Sequence, residues 1–579
     1  MNKYRIFVLT GMFALVLSVL STNACTNFLV TKGASKDGST MITYAADSHT
    51  LYGELYYRPA MDYAEGAMMD VIEWDTGKPM GKIKQARHTY SVVGNMNEYQ
   101  VAIGETTYGG RMELYDTTAI IDYGSMMYIA LQRSKTAREA IKVMAELVAE
   151  YGYASEGESI SVSDVNEVWI FEIIGKGAPS VGKDGKRIYD KGAVWVARRI
   201  PDGYISGHAN HARITTFPFD KDKSSISSKN LNKIFDPRVE NVYSYDVVTF
   251  ARSRGYFKGE DKDFSFSDVY APVDFEGARF CEGRVWAGFN KVNKDMAQYI
   301  DYVKGENLKN RMPLWIKPDF KLSLQDVKGL MRDHFEGTPF DMTKDVGAGP
   351  YECGYRWRPL TWKVNGKEYV NERATSTQQT GFSFVAQSRP NMPDKIGGIF
   401  WFSVDDSYST VYVPMYCGIT KIPEPYREGN GSMVEYSETS AFWIFNFVSN
   451  FCYLRYNVMI KDVQKVQSEL ENKFIAEVPA VDKKAMDAYA VSKEKAQEII
   501  NNYSNEQANL TATRYKKLGQ YLLVKYMDGN IKKEKDGKFM MNGYTQSASP
   551  SQPGYPEWYL KKIVDDAGER LKVIEEPKK

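Results

Sequence analysis

The chain opens with an apolar segment, and this segment decides where the folded part can begin. Two basic residues precede an apolar run over residues 6–20, and a short stretch of small and polar residues then ends at Ala24, just before Cys25. Such a pattern is typical of a secretory signal peptide that is cut after its small residues. The run is shorter than the ~20 apolar residues that a membrane span needs. We therefore predict a signal peptide over 1–24, a secreted or periplasmic protein, and no membrane span.

The composition is that of a folded and nearly neutral protein. The sequence has 579 residues, with 74 Lys and Arg against 73 Asp and Glu. A nucleic-acid-binding protein would carry a basic excess or a basic face, so this balance argues against that class. A hydrophobic fraction of 43% and a charged fraction of 25% exclude a wholly disordered chain.

The cysteines leave more than one interpretation of Cys25 open. In the first, Cys25 carries a lipid anchor, although Thr22 and Asn23 match a bacterial lipobox poorly. In the second, which we favour, cleavage makes Cys25 the first residue of the mature protein. A Cys that merely lies near the cut is the uninformative alternative. Export also permits disulfides, of which at most two can form among Cys281, Cys353, Cys417 and Cys452.

Local patterns predict a β-hairpin at the start of the mature chain. Residues 25–31 and 39–44 are rich in β-branched and aromatic side chains, and an Asp-Gly turn separates them. Such a hairpin brings the start of its first strand close to the end of its second strand. We therefore expect Cys25 and Asp47, which follows the second strand, to be neighbours.

Strands and helices alternate irregularly along the rest of the chain. A capping box, Thr136 to Glu139, opens a predicted helix. Further strands are predicted over 99–106, 158–163, 167–174 and 193–200, and further helices over 442–474, 483–502 and 505–527, with a loop over 529–556. Because strict strand–helix–strand alternation is missing, the pattern favours an α+β fold.

The chemistry cannot be assigned from the commoner motifs. The sequence contains no GxSxG, HExxH, Walker A or GxGxxG pattern. His208 and His211 have a spacing that could hold a metal, but no acidic ligand is close in sequence, so we predict neither a metal nor a cofactor. An N-terminal Cys needs neither, because its α-amine, with a pKa of about 8, can take the proton of its own thiol. Such a site needs a carboxylate to hold the amine, and Asp47 is the candidate, with a turn-capping role as the alternative.

Several short motifs in a fixed order carry a resemblance. They are Cys25-Thr-Asn, Lys36-Asp-Gly-Ser-Thr-Met41, Asp47-Ser, Asn95-Met-Asn97-Glu98, Ala209-Asn210-His-Ala-Arg213-Ile214, Arg284-Val-Trp286, Gly337-Thr-Pro-Phe-Asp341 and Ser376-Thr-Gln-Gln-Thr-Gly-Phe-Ser383. Together they resemble the secreted cysteine dipeptidases, the dipeptidase A family of the N-terminal-nucleophile hydrolase superfamily. Penicillin V acylase and bile salt (choloylglycine) hydrolase are relatives of that family.

The resemblance implies a fold and a set of site residues. The expected fold is a four-layer αββα sandwich over 25–425, with Cys25 at the inner edge of a central strand, followed by a mainly helical C-terminal extension over 426–579. The implied catalytic residues are Cys25 as nucleophile, Asp47 on the amine, Asn210 and Asn97 as oxyanion donors, and Arg284 as electrostatic support. Asn210 would donate its side-chain amide, and Asn97 either its side chain or its backbone N–H. The structural alternatives are a turn residue for Asn210 and an ion pair for Arg284.

One position departs from the family pattern. The family usually has Arg three residues before the Asp, whereas this chain has Tyr44. A guanidinium near the thiol would lower the thiol pKa far more than a phenol does. Either another cation such as Arg87 or Arg213 takes its place, or Cys25 is a less acidic nucleophile.

The resulting hypothesis is a cysteine dipeptidase that hydrolyses dipeptides or other small amides through an acyl-enzyme on Cys25. One alternative is an acylase for N-acyl amides, like penicillin V acylase or bile salt hydrolase. Another is a lipid-anchored, non-catalytic ligand-binding protein, since an acylated amine could not act as the base. The expected partner is a small substrate, and self-association is left open.

Overall fold

A computed structural model describes residues 25–181, 185, 187–219 and 223–575. The predicted signal peptide, 1–24, lies outside the described residues. Two large, mainly antiparallel sheets dominate a mixed α+β fold, which confirms the predicted class at that level. The seven-stranded sheet has the spatial order Trp315–Ile316, Ile205–His208, Asn27–Val30, Thr40–Asp47, Thr380–Ser388, Gly398–Val404 and Val413–Tyr416. The nine-stranded sheet has the order Ser225–Ser227, Asn241–Tyr243, Ala193–Arg199, Val168–Gly175, Gly157–Ser163, Ala102–Gly109, Met96–Asn97, Val92–Val93 and Tyr57–Arg58.

Helices and small hairpins complete the described part of the chain. The α-helices are Tyr123–Arg133, Ala137–Tyr151, Val247–Ser253, Phe266–Tyr270, Gly283–Val292, Ile300–Val303, Leu324–Met331, Asp394–Gly397, Ala441–Tyr453, Tyr456–Tyr489, Lys493–Tyr526 and Glu557–Ala567. The two-stranded hairpins pair Met61–Asp62 with His88–Thr89, Met68–Ile72 with Pro79–Lys84, Ser180–Val181 with Arg187–Ile188, Thr361–Val364 with Lys367–Val370, and Glu534–Lys535 with Lys538–Phe539. Among the described residues, none of these helices is both long enough and apolar enough to cross a membrane.

The predicted first hairpin is confirmed, and it sets the position of Cys25. Leu29 pairs with Ile42 in an antiparallel register, and the pairing continues to a bridge between Thr26 and Ala45. The second strand is longer than predicted, because Asp47 is its last residue instead of following it. The register therefore brings Cys25 next to the end of the strand that carries Asp47.

The two sheets face each other and share one core, and a second core lies on the other face of the nine-stranded sheet. Alternate residues of one strand point into these two cores. In the strand Val168–Gly175, Val168 and Ile170 belong to the core shared with the seven-stranded sheet, whereas Trp169 and Phe171 belong to a second core. This two-residue period is the one that a strand buried on both faces requires. The sheets approach closely at Gly104, where a Cβ would lie 3.2 Å from the Cβ of Tyr44.

Helices cover the outer faces of both sheets. The helix Ala137–Tyr151 packs Ile141 and Met144 into the second core, with Trp169 and Phe171. The N-cap half of the predicted capping box is confirmed, since the Thr136 hydroxyl accepts from the backbone N–H of Glu139 at 3.2 Å. The reciprocal half differs, because the Glu139 carboxylate accepts from the backbone N–H of Lys135 at 2.6 Å.

The C-terminal helices pack against the seven-stranded sheet, and side-chain hydrogen bonds hold them there. The hydroxyl of Tyr416 donates to Asp482 at 2.7 Å, and the side-chain amide of Gln467 donates to the carbonyl oxygen of Thr410 at 2.6 Å. These helices therefore cover the back of the seven-stranded sheet. The predicted boundary between 425 and 426 stays a prediction.

The structure corrects several predicted element bounds. The strand expected over 99–106 begins at Ala102, because Gln100 adopts a left-handed turn conformation with φ 65°. The helix expected over 442–474 is broken at residues 454–455, and the second helix then continues to Tyr489. The next helix begins at Lys493, where the Ser492 hydroxyl accepts from the N–H of Lys495, so the break predicted at 503–504 is wrong. The predicted 529–556 loop contains one short hairpin.

Candidate active site

Cys25 is held at both its backbone nitrogen and its sulfur. Its N–H donates to Oδ1 of Asn210 at 2.9 Å. Its Sγ lies 3.7 Å from the hydroxyl of Tyr44 and 3.6 Å from Oε1 of Glu105. The residue is buried, with 4% of its surface exposed. The polar groups around Cys25 therefore fix the positions of a candidate nucleophile and of the adjoining nitrogen together.

Arg284 is the buried cation of this site. Its guanidinium donates to the carbonyl oxygen of Cys25 at 2.6 Å, to Oγ1 of Thr26 at 2.8 Å and to Oδ1 of Asn210 at 2.9 Å. The helix Gly283–Val292 presents it to the hairpin, and none of its surface is exposed. Arg284 thus fixes the backbone of the nucleophile and the side chain of Asn210 together.

Asp47 lies beside Cys25, and its carboxylate is bound by two side chains. The guanidinium of Arg373 donates to Oδ2 at 3.2 Å, and the hydroxyl of Thr380 donates to Oδ1 at 2.7 Å. Burial raises the pKa of Asp47 to about 7, although Arg373 and Thr380 favour the ionised form. Asp47 can therefore change its charge close to neutral pH, where an α-amine also titrates.

Tyr44 and Glu105 form a pair next to the sulfur. The hydroxyl of Tyr44 donates to Oε1 of Glu105, the same oxygen that faces Cys25. Burial raises the pKa of the Cys25 thiol well above its ordinary value, and the charges of Glu105 and Asp47 raise it further. Burial also raises the pKa of Glu105 to about 7. A phenol and a carboxyl group thus occupy the place where the family pattern has a guanidinium.

Asn97 does not belong to this cluster. Both hydrogens of its Nδ2 are used, by the carbonyl oxygens of Leu131 and Ser134 at 2.7 Å each. Its Oδ1 accepts from the backbone N–H groups of Tyr99 and Val101. The side chain therefore joins a tight turn to the end of the helix Tyr123–Arg133. The backbone N–H of Asn97, the other predicted donor, points to the carbonyl oxygen of Val101 at 2.9 Å, and the oxyanion role of Asn97 stays a prediction.

Neither of the cations that we named as substitutes for the family Arg contacts Cys25. Arg87 is exposed and lies near Glu65 on the surface. Arg213 is buried but pairs with Glu282, at 2.9 Å between Nε and Oε1. Among the described residues, the cations near Cys25 and Asp47 are Arg284, Arg373 and Arg358 instead.

A cleft opens over the sulfur of Cys25. It has a volume of about 460 Å³ and is lined by Cys25, Tyr44, Ala46, Asp47, Ser48, Thr50, Leu51, Trp74, Asp75, Glu105, Thr107 and Tyr123. A cleft that contains a thiol, carboxyl groups and an aromatic wall suits a small polar substrate. The predicted residues Cys25 and Asp47 line it directly.

A family model described as Peptidase family C69 matches residues 24–469, most of the chain. The chain belongs to peptidase family C69. This confirms the resemblance drawn from the motifs, and it makes the chain a member of a family of peptide-bond hydrolases.

Several relatives of this C69 peptidase carry dipeptidase names. A protein named probable dipeptidase from Latilactobacillus sakei is 24% identical over 516 residues, which cover 85% of this chain and 95% of the relative. A probable dipeptidase B from Lactococcus lactis subsp. lactis (strain IL1403) is 24% identical over 435 residues, 73% of this chain and 79% of the relative. A probable dipeptidase from Salmonella dublin is 23% identical over 436 residues, 72% of this chain and 86% of the relative.

Sequence reasoning missed three residues of the C69 site: Glu105, Arg373 and Thr380. A signal was present for Glu105, since it is a carboxylate within a predicted strand of otherwise buried residues. Thr380 lies within the motif that begins at Ser376, so its segment was identified but its role was not. Arg373 lies far from Asp47 in sequence, and nothing local indicates their pairing.

The candidate metal-binding histidine His208 and the cysteines considered for disulfides have other roles or surroundings in the structure. The ring nitrogens of His208 lie 2.7 Å from the hydroxyls of Thr106 and Ser161, and burial lowers the pKa of His208 to about 3. Across the described residues, no group of three or more His, Cys, Asp or Glu side chains is arranged to hold a metal ion. All five cysteines lie within the described residues and are free thiols, so none of the disulfides considered from the sequence is present.

Proposed function

We propose that this C69 peptidase is a secreted or periplasmic cysteine dipeptidase that uses Cys25 as an N-terminal nucleophile. The observation that carries the proposal is that the nitrogen and the sulfur of one residue are both held by polar side chains at one cleft. The nitrogen lies 2.9 Å from Oδ1 of Asn210, and the sulfur lines the cleft near Glu105. Removal of residues 1–24 would convert that nitrogen into an α-amine without moving it.

The α-amine and the thiol then supply a complete acid–base cycle. The amine of Cys25 takes the thiol proton, and the sulfur attacks the substrate carbonyl carbon to form a tetrahedral oxyanion. When the C–N bond breaks, the ammonium returns the proton to the leaving amine and a thioester remains. A water molecule, deprotonated by the same amine, attacks the thioester, and its collapse releases the acid and restores the thiol.

The neighbouring side chains have proposed positioning roles. Asn210 contacts the nitrogen of Cys25 and is the proposed oxyanion donor. Asp47, which is ionised above about pH 7, favours the ammonium form that appears during the cycle. Arg284 fixes the carbonyl of Cys25 and favours negative charge in the cleft.

The fold supports the same proposal. One sheet is covered by the helix Ala137–Tyr151 and the other by the helix Tyr456–Tyr489, and the sheets share a core. We infer that these layers form the αββα sandwich of N-terminal-nucleophile hydrolases. The dipeptidase names of the relatives favour dipeptides over N-acyl amides as substrates.

The proposal is tested on the mature protein beginning at Cys25. Intact mass and N-terminal sequencing of the secreted protein are expected to give an unmodified Cys25, and HPLC is expected to show hydrolysis of dipeptides. Cys25→Ala is expected to abolish hydrolysis while the circular dichroism spectrum is unchanged. A protein that retains one extra residue before Cys25 is expected to be inactive, because its nitrogen is an amide.

A matched control separates the nucleophile from a general thiol effect. Cys353→Ala removes a partly exposed free thiol that does not line the cleft, and it is expected to keep full activity. Hydrolysis retained in Cys25→Ala, or in the protein with the blocked nitrogen, would contradict the mechanism.

A further inference from the structure

Two carboxyl groups of the cleft have no cationic partner. Asp75 and Glu105 both line the cleft over Cys25. Within the described residues, no Lys, Arg or His side chain lies within 4.0 Å of either carboxyl group, whereas Arg373 lies 3.2 Å from Asp47. The hydrogen-bond partner of Asp75 is the hydroxyl of Tyr123, at 2.9 Å. The cleft therefore has a carboxyl-rich region whose negative charge, when the two groups are ionised, is not compensated by any cation among the described residues.

This carboxyl-rich region lies close to the expected position of one group of a peptide substrate, the α-nitrogen of the residue whose carbonyl is attacked. A carbonyl carbon about to react lies about 3–3.5 Å from the attacking atom. The α-nitrogen of the same residue is two bonds from that carbon. Since Oε1 of Glu105 is 3.6 Å from the sulfur of Cys25, a substrate with its carbonyl carbon at the sulfur can place that nitrogen against Glu105. Asp75 is exposed at the mouth of the cleft and can contact the same nitrogen from the solvent side.

The walls of the region suit an ammonium group. Trp74 and Tyr123 line the cleft beside the carboxyl groups, and the faces of such rings attract cations. The ring of Trp74 is held in place by stacking on Tyr128, with ring centroids 4.8 Å apart. Two carboxyl groups and an aromatic wall are the usual chemistry for binding a primary ammonium.

The side of the cleft at Asp47 disfavours the same group. Arg373, Arg284 and Arg358 all lie close enough to Asp47 to favour its ionised form. An ammonium on that side would meet three guanidinium groups. The charge distribution thus allows one orientation, with the cationic end of the substrate toward Glu105 and Asp75.

We propose that Asp75 and Glu105 form the subsite for the free α-ammonium of the substrate residue whose carbonyl Cys25 attacks. This inference rests on the proposed function and deepens it, because it makes the enzyme specific for peptides with an unblocked N-terminus. It also separates the enzyme from acylases, whose substrates carry an uncharged acyl group at this place.

The test compares Ala-Ala with N-acetyl-Ala-Ala as substrates of the mature protein. The wild type is expected to prefer Ala-Ala by at least 100-fold in kcat/KM. Asp75→Asn is expected to reduce that preference at least 10-fold, by lowering kcat/KM for Ala-Ala and leaving the acetylated substrate nearly unaffected. Glu105→Gln is expected to reduce the preference as well, and only the ratio of the two substrates is interpreted, because Glu105 also contacts the sulfur.

The matched control is Asp70→Asn. Asp70 is an exposed aspartate on the hairpin whose turn carries Asp75. It lies 3.3 Å from Lys82 and outside the cleft, and its removal is expected to leave the preference unchanged. A preference unchanged in both Asp75→Asn and Glu105→Gln would overturn the subsite. Cleavage of N-acetyl-Lys-Ala as fast as Ala-Ala would assign the subsite to a basic side chain and also overturn it.

Binding distinguishes failure of the subsite from failure of the proposed function. Calorimetry with the Cys25→Ala protein measures affinity for the two substrates without turnover. Tighter binding of Ala-Ala, lost in the Cys25→Ala and Asp75→Asn double variant, supports the subsite even if the wild type hydrolyses neither substrate. Equal affinities for Ala-Ala and its acetylated form would overturn the subsite even in an active enzyme.

Discussion

The carboxylate of Glu105 sets how readily the thiol of Cys25 ionises, and removing that charge is expected to make the thiol more acidic. Oε1 of Glu105 lies 3.6 Å from Sγ, and both groups are buried. At this distance and an effective dielectric constant of about 20, two negative charges repel by about 5 kcal/mol. That energy is an upper bound on what the charge of Glu105 adds to the cost of ionising the thiol.

The change that tests this repulsion is Glu105→Gln, which keeps the shape of the side chain and its contact with Tyr44. Because burial raises the pKa of Glu105 to about 7, the carboxylate is charged mainly above that pH. The thiol pKa of Cys25 is therefore expected to fall, and the difference from wild type is expected to be greatest above pH 7.

The assay is the pH dependence of alkylation by iodoacetamide, followed by mass spectrometry of the peptide that contains Cys25. Peptide-level detection is necessary because the other four cysteines are also free thiols. The control is Glu156→Gln, which removes a half-buried carboxylate that lies near Asp75 but does not line the cleft. A Cys25 profile that is unchanged or shifted to higher pH in Glu105→Gln would refute the reasoning.

Three further predictions follow from buried polar groups. Arg284→Met leaves the carbonyl oxygen of Cys25 without its donor, so we expect a loss of about 3–5 kcal/mol in urea unfolding and loss of hydrolysis; unimpaired hydrolysis would contradict this role. Asn97→Ala is expected to lower stability by about 1–3 kcal/mol while kcat/KM of the folded protein changes little, whereas a loss of about 100-fold would restore its oxyanion role. Burial opposes ionisation of Glu471. The guanidinium of Arg332, 2.7 Å from Oε1 of Glu471, and the ammonium of Lys328 nevertheless hold the pKa of Glu471 below its ordinary value. Its ionised form therefore stabilises the fold above about pH 4–5, and that stabilisation is lost as pH falls. Glu471→Gln is expected to lower the urea midpoint at pH 7 and to make the midpoint decline less steeply in acid. A midpoint equal to that of the wild type at pH 7 would contradict the ion pair.

Local patterns in the sequence were sufficient for the elements that depend on near neighbours. The first hairpin and the N-cap at Thr136 follow from residue types within a few positions of each other, and the structure contains both. The same reasoning misplaced the breaks between the C-terminal helices. Those breaks depend on how long helices lie against a sheet, and a continuous helical pattern does not mark them.

The sequence by itself determined the family, the position of the candidate nucleophile and its proximity to Asp47, because a short hairpin and ordered motifs carry that information. Only the tertiary structure decided which side chains surround the sulfur. Glu105 is 80 positions from Cys25, Asn210 is 185 and Arg284 is 259. Contacts over such separations depend on the register of two sheets and on the helix that packs beside them. Since that register is fixed by burial of whole strand faces, no local pattern could show that Asn97 bonds a turn while Glu105 faces the thiol.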